Sequence, residues 1–155
     1  MKHYNFAEGK FEDFFECFIS GEVDFGDYFD HLLSWYQHKN EPNVLFLTYE
    51  EMKDNIEISL LKIITFLGKK YTEKLNNKQI LNKIIEQSSF ENMSKNQQRW
   101  SSKRPNNMPP FVRKGKVGDW KNYFSREQVK RLKDKFVSRT MGTDLEKLWI
   151  NIVSN

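Results

Sequence analysis

Only one stretch of this 155-residue chain, Val44-Leu45-Phe46-Leu47-Thr48-Tyr49, reads as a β-strand, and a strand cannot stand alone. The run is short and almost wholly apolar. Set between Pro42 and the acidic pair Glu50-Glu51, it has the pattern of a strand buried in a parallel sheet. Its backbone N–H and C=O groups need a neighbouring strand, yet the other apolar patterns are helical. Phe11, Phe14, Phe15 and Phe18 recur at helical spacing ahead of Gly21, and Phe29, Leu32, Leu33 and Tyr36 mark a second helix from near Asp27. Ile56 to Leu67 predicts a helix ending at Gly68, and Leu75, Ile80, Leu81, Ile84 and Ile85 predict another from roughly Lys74 to Glu86. The missing strands must come from elsewhere. The chain is therefore expected to be part of a larger α/β fold, with uncovered helix faces that make it prone to aggregate.

From Lys95 to Gly118 periodicity stops, and Pro105, Pro109, Pro110, Gly115 and Gly118 predict a long loop of the kind that is functional or disordered. Order resumes at Ser125-Arg126-Glu127-Gln128, a capping-box pattern opening a basic helix towards Met141, with Gly142 to end it. The net charge of +4 hides a division: Arg99 to Arg139 holds 13 Lys/Arg against 3 Asp/Glu, whereas the remainder is acidic. Such a region suits an anionic partner, a small phosphate ligand or nucleic acid, and equally a solvated basic face. Nucleic-acid binding is the weaker of the two partner readings, because no clear stacking aromatics or known fold signature accompany the charges. A hydrophobic share of 38% with balanced charge predicts a globular chain. Cys17, the sole cysteine, excludes an internal disulfide and a cysteine-rich metal site. No apolar run has the length of a membrane span, and MKHYNFAEGK lacks a signal-peptide core. A cytoplasmic protein with no membrane partner and no metal is the expectation.

The most informative run is Phe111-Val112-Arg113-Lys114-Gly115-Lys116-Val117-Gly118-Asp119-Trp120-Lys121-Asn122-Tyr123-Phe124. Arg113 offers a planar fork that can hold a phosphate bidentately, and Lys114 adds a point charge. Gly115 permits close backbone approach, so its N–H can donate to the same anion. An ordinary Arg- and Gly-rich loop fits the same residues.

The run resembles the RKGxxGDWKNxF signature of the cytosolic sulfotransferases, which binds the 3′-phosphate of PAPS (3′-phosphoadenosine 5′-phosphosulfate). The likeness extends upstream. FEDFFECFISGEVDFGDYFDHLLSWY resembles that family's helix–GxVxxG–helix region, VLFLTYEEMKDN its strand and Tyr-Glu-(Asp/Glu)-Met pattern, and Ser88-Ser89-Phe90 with Met93 its Thr-Ser-Phe element. The resemblance implies the C-terminal half of a P-loop-type α/β sulfotransferase domain across residues 1–155, mostly helical, with residues 44–49 as its one central parallel strand. It implies that Tyr49, Ser88 and Ser89 lie at the adenine, that Phe111 and Val112 flank the base, and that Arg113, Lys114 and Gly115 form the 3′-phosphate clamp. Trp120 matches a loop-packing position. Phe25 matches a position lining the acceptor pocket, and Trp100 is a further acceptor candidate. Read structurally instead, Tyr49 simply ends a strand, Ser88 ends a helix and Ser89 caps the next one.

The same resemblance exposes what this chain lacks. It has no Lys-Ser-Gly-Thr-Thr-Trp phosphosulfate loop, and His3, His31 and His38 do not match the family's catalytic base. No catalytic residue is assigned. The family's dimer motif, KxxxTVxxxE, reads here from Lys121 to Lys130, with its last position reversed in charge, which argues against the usual homodimer. The leading expectation is a PAPS-dependent sulfotransferase acting on a small hydroxyl or amine acceptor, the isolated chain being inactive. The alternatives are a non-catalytic module with residual nucleotide binding or a regulatory contact, and a basic nucleic-acid-binding protein.

Overall fold

The computed structural model describes residues 9–75, 77–100 and 110–148. In chain order the helices are α1 (Phe11–Ser20), α2 (Tyr28–Tyr36), α3 (Tyr49–Asp54), α4 (Ile56–Leu67), α5 (Lys69–Leu75), α6 (Lys78–Gln87), α7 (Phe90–Lys95), α8 (Gln97–Trp100) and α9 (Arg126–Thr140). Short 3₁₀ turns occupy Asp119–Asn122 and Asp144–Lys147. The chain divides into two compact units, the first made of residues up to Lys39 with those from Gly118 onward, the second running from Asn40 to Val117.

In the first unit, α1 ends as its sequence dictates. Gly21 takes φ 81°, and the Glu22 N–H donates to the Cys17 carbonyl at 2.8 Å, satisfying an orphan acceptor of the last turn. Of the α1 phenylalanines, only Phe15 is fully buried, packed edge-on to Phe124 with the Arg131 guanidinium 5.2 Å from its ring centre. Asp27 starts α2 by accepting the Phe29 N–H at 2.7 Å, which turns Phe29, Leu32 and Tyr36 into the core. The capping box predicted at Ser125 forms completely: Ser125 Oγ accepts from the Gln128 N–H, and Gln128 Oε1 accepts from the Ser125 N–H at 2.8 Å.

Helix α9 is joined to α1 and α2 by ion pairs at successive turns. Arg131 holds Glu16 bidentately at 2.6 and 2.8 Å, Lys135 pairs with Asp27, and Arg139 with Asp30. The hydrogen bond from Arg131 is the main reason the Glu16 carboxyl lies below its ordinary range, against a smaller opposing push from burial. Burial pushes Asp27 up, but Lys135 and the Phe29 and Asp30 N–H groups outweigh it and hold the carboxyl low.

The second unit carries a correction. Residues 44–49 were expected to form a central strand, yet 44–48 have no assigned secondary structure and Tyr49 opens α3. A ladder needs a second strand, and the described residues contain none. Thr48 is extended (φ −98°, ψ 152°), but its hydroxyl accepts from the Glu51 N–H at 3.1 Å while the Glu51 carboxylate takes the Thr48 N–H at 3.0 Å. That reciprocal cap starts a helix where the apolar pattern alone suggests continued strand.

Two helix boundaries also move. The helix expected from Lys74 to Glu86 is split, because Asn77 accepts the Gln79 N–H at 2.9 Å and caps a new helix, α6. The expected loop from Lys95 to Gly118 contains α8, and residues 101–109 fall outside the described set. Helix α4 keeps its predicted limits of Ile56 and Leu67. It buries Ser59 and Ile64 while leaving Ile58, Leu61 and Phe66 exposed along a surface groove that Leu45 also lines. Among the described residues no helix is long and apolar enough to cross a membrane.

Candidate functional site

The eight positions read as nucleotide contacts all lie in the second unit, on three supports. Tyr49 stands at the first residue of α3 with about half its surface exposed, set by the Thr48–Glu51 cap. Glu51 also accepts from Lys62 of α4 at 3.2 Å. The Thr48 N–H and the Lys62 ammonium together overcome burial and keep the Glu51 carboxyl low, and hence charged.

Ser88 and Ser89 form the second support, the junction of α6 and α7. Ser88 is the C-cap of α6, with its N–H donating to the Ile84 carbonyl at 2.9 Å. Ser89 is the N-cap of α7, its Oγ accepting from the Asn92 N–H at 3.2 Å, while the Asn92 amide donates to the Glu86 carbonyl at 2.7 Å. Both serines thus have the structural roles that their positions suggest, and Ser88 leaves its side chain exposed. Placing the junction here sets Phe90, the next residue, against the third support.

That third support is the segment from Phe111 to Gly115, and it is fastened at both ends. Val112 exchanges two hydrogen bonds with the Gln97 side chain: its N–H donates to Gln97 Oε1 at 2.9 Å and its C=O accepts from Gln97 Nε2 at 3.0 Å. Gly115 takes φ +61° directly against Phe90, where a Cβ would stand 2.6 Å from the ring. Between these anchors Arg113 and Lys114 carry exposed side chains. Phe111 is 58% exposed beside them. The structure therefore brings Ser88, Ser89 and the run from Phe111 to Gly115 together through Phe90, and holds Tyr49 separately on α3.

Gly115→Ala is expected to cost about 2 kcal/mol in urea denaturation, from left-handed backbone strain and collision with Phe90. In a Phe90→Ala background the penalty should shrink to the strain alone; equal penalties would show that the ring is not what excludes a Cβ.

The acceptor candidates differ in what the structure says of them. Phe25 lies in the first unit, 96% exposed, next to Gly26 at φ 72°. The side chain of Trp100 lies outside the described residues. Trp120 packs edge-on to Phe124, which also meets Phe11 and Phe15, so its place is in the aromatic cluster of the first unit. The cationic face of α9 is largely matched by carboxylates: Arg131, Lys135 and Arg139 are paired across to α1 and α2, and Lys130 holds Asp134 at 2.7 Å. A continuous nucleic-acid stripe along that helix loses its main support. Among the described residues no group of His, Cys, Asp or Glu could hold a metal ion. The sequence reading missed Gln97, whose amide carries no periodic signal, and did not foresee Phe90 as the neighbour of Gly115.

Comparison with known proteins follows the same lines. A family model described as the sulfotransferase domain matches residues 1–144. Sulfotransferase 1E1 of Bos taurus is 42% identical over 120 residues, spanning 74% of this chain and 39% of its own. Sulfotransferase 1B1 of Mus musculus is 36% identical over 151 residues, spanning 94% of this chain and 49% of its own. A mouse sulfotransferase solved in complex with PAP superimposes with a TM-score of 0.74 at 33% identity, over 94% of this chain and 53% of that one. The chain thus spans 39% and 49% of the two curated relatives, and its helices are a piece of an α/β sulfotransferase fold. With the signature run folded into a doubly anchored cationic loop and the family match covering residues 1–144, the chain belongs to the sulfotransferase family.

Proposed function

We propose that this chain is the C-terminal half of a PAPS-dependent cytoplasmic sulfotransferase, carrying part of the 3′-phosphoadenosine site and transferring no sulfate by itself. The observation that carries this reading is the clamp: Arg113 and Lys114 project from a backbone fixed on either side by Gln97 and Phe90. In it Arg113 grips the 3′-phosphate bidentately, Lys114 adds charge, and the Gly115 N–H donates to the same group. Tyr49, Ser88, Ser89, Phe111 and Val112 serve the adenine, and Phe25 and Trp100 serve the small hydroxyl or amine acceptor. Two solved relatives support the ligand: the mouse sulfotransferase is complexed with PAP, and a retinol dehydratase, 27% identical with a TM-score of 0.73, is complexed with retinol and PAP. A charge-reversed Lys130, held by Asp134, argues against the usual family dimer.

A hydrogen bond to a charged group is worth about 1.5–3 kcal/mol. Arg113→Ala is accordingly expected to weaken PAP binding by about tenfold or more, with binding of adenosine 5′-phosphate scarcely changed. Equal losses for both ligands would make Arg113 structural. A second reading, a non-catalytic module retaining nucleotide affinity, is favoured by one observation: all eight nucleotide positions fall within a single compact unit. Saturable PAP binding by the 155-residue chain, without turnover, is its signature.

A further inference from the structure

We infer that Gln97 is a positioning residue for the phosphate clamp, a role that rests on reading Arg113 to Gly115 as that clamp. A glutamine side chain presents a donor and an acceptor in one plane, as a peptide does. Gln97 uses both on one residue: Val112 donates to Oε1 at 2.9 Å and accepts from Nε2 at 3.0 Å, the exchange that opposed residues of an antiparallel pair make. The same Nε2 lies 3.3 Å from the Ser94 carbonyl, tying the arrangement to the last turn of α7. Helix α7 also supplies Phe90 at Gly115, so one short helical region sets both ends of the clamp.

Half-buried and fifteen residues from Val112 in sequence, Gln97 reaches the main chain directly before Arg113. Its bonds fix the backbone from which the guanidinium departs. Without them the loop must be ordered when the ligand arrives, and that cost is charged to the interaction with the 3′-phosphate.

Gln97→Met keeps the length and packing of the side chain and removes both bonds. In the 155-residue chain, amide exchange at Val112 is expected to rise about tenfold or more while the amides of α9 are unchanged. The preference for PAP over adenosine 5′-phosphate, taken as a ratio of dissociation constants, is expected to fall about fivefold. Gln97→Glu, which keeps the acceptor for the Val112 N–H and loses the donor, should give intermediate exchange there. Unchanged exchange at Val112, or faster exchange with the preference intact, overturns the positioning role. A wild-type chain with no preference for PAP overturns the clamp reading and the positioning role together. In that case the exchange data still show whether Gln97 pins the loop, so the two failures are distinguishable.

Discussion

Incubated with radiolabelled PAPS and simple phenols or aliphatic alcohols, the 155-residue chain is expected to yield no sulfated product. Sulfuryl transfer in the family this chain resembles is a direct displacement, with a histidine taking the acceptor proton and lysines and backbone N–H groups stabilising the bridging oxygens. None of His3, His31 and His38 matches that base, and no Gly-rich phosphate cradle occurs in the sequence. General-base catalysis typically supplies about 10²–10⁴-fold, and one oxyanion-type donor about 10²–10³-fold. Groups acting as a unit do not combine additively, so the product of these figures is not the expected loss. The direction is clear nonetheless. The clamp proposed above would position one end of the donor and leave the reacting hydroxyl without a proton acceptor. The assay compares this chain with a version extended upstream to include a phosphosulfate loop, and label should appear in product only for the longer one. Turnover by the purified 155-residue chain, lost on Arg113→Ala, would overturn the expectation and demand a base not yet identified.

The largest single-residue effect on stability is expected at Asp27. Its carboxylate does two things at once: Oδ1 caps α2 at the Phe29 N–H, and Oδ2 pairs with Lys135 of α9. Both partners of the ion pair are mostly withdrawn from water, their side chains being 14% and 19% exposed. Asp27→Ala removes a helix cap and leaves the Lys135 ammonium donating to the Ile19 carbonyl, 2.6 Å away, without its carboxylate partner. Losing a cap costs about 1 kcal/mol, and stranding one partner of a buried pair costs about 3–5 kcal/mol. Because the Ile19 contact persists, a total of about 3 kcal/mol is expected in urea denaturation. Asp27→Asn keeps the capping oxygen and should cost less. The pH dependence has a definite sign. Asp27 is held below its unfolded value, so its contribution is fully present above about pH 4 and is lost as pH falls through the lowered folded value. Asp27→Asn should flatten that part of the stability curve. Acid sensitivity identical to wild type would mean the pair contributes nothing to folding.

How far the sequence reached can be traced residue by residue. Helix ends written in local chemistry were legible: Gly21 and Gly68 stop α1 and α4, and the Ser125–Gln128 box starts α9. The run at 44–49 was read as a strand that the structure does not have, since a ladder belongs to two segments and the apolar pattern describes only one. Asn77 was overlooked as a cap although an asparagine just ahead of the Ile80-Leu81 and Ile84-Ile85 pairs is itself a helix-start signal. The cations of α9 were counted correctly, but their partners Glu16, Asp27 and Asp30 lie more than a hundred residues away in sequence, so a basic region looked available to an anionic ligand. At the site, motif order pointed to residues 111–115 and to Ser88 and Ser89. What holds them, an amide from Gln97 and a ring from Phe90, follows from tertiary proximity alone.

The loop from Val112 to Gly115 separates the residues that fix its course from those that meet solvent. The fasteners act on Val112 through its main chain and on Gly115 through the absence of a side chain, so neither depends on what stands at positions 113 and 114. On the proposed reading, exchanging the side chains at 113 and 114 alters the charge presented to the ligand, on a backbone mount that Gln97 and Phe90 help to set. Changing Gln97 or Phe90 would instead move the mount itself.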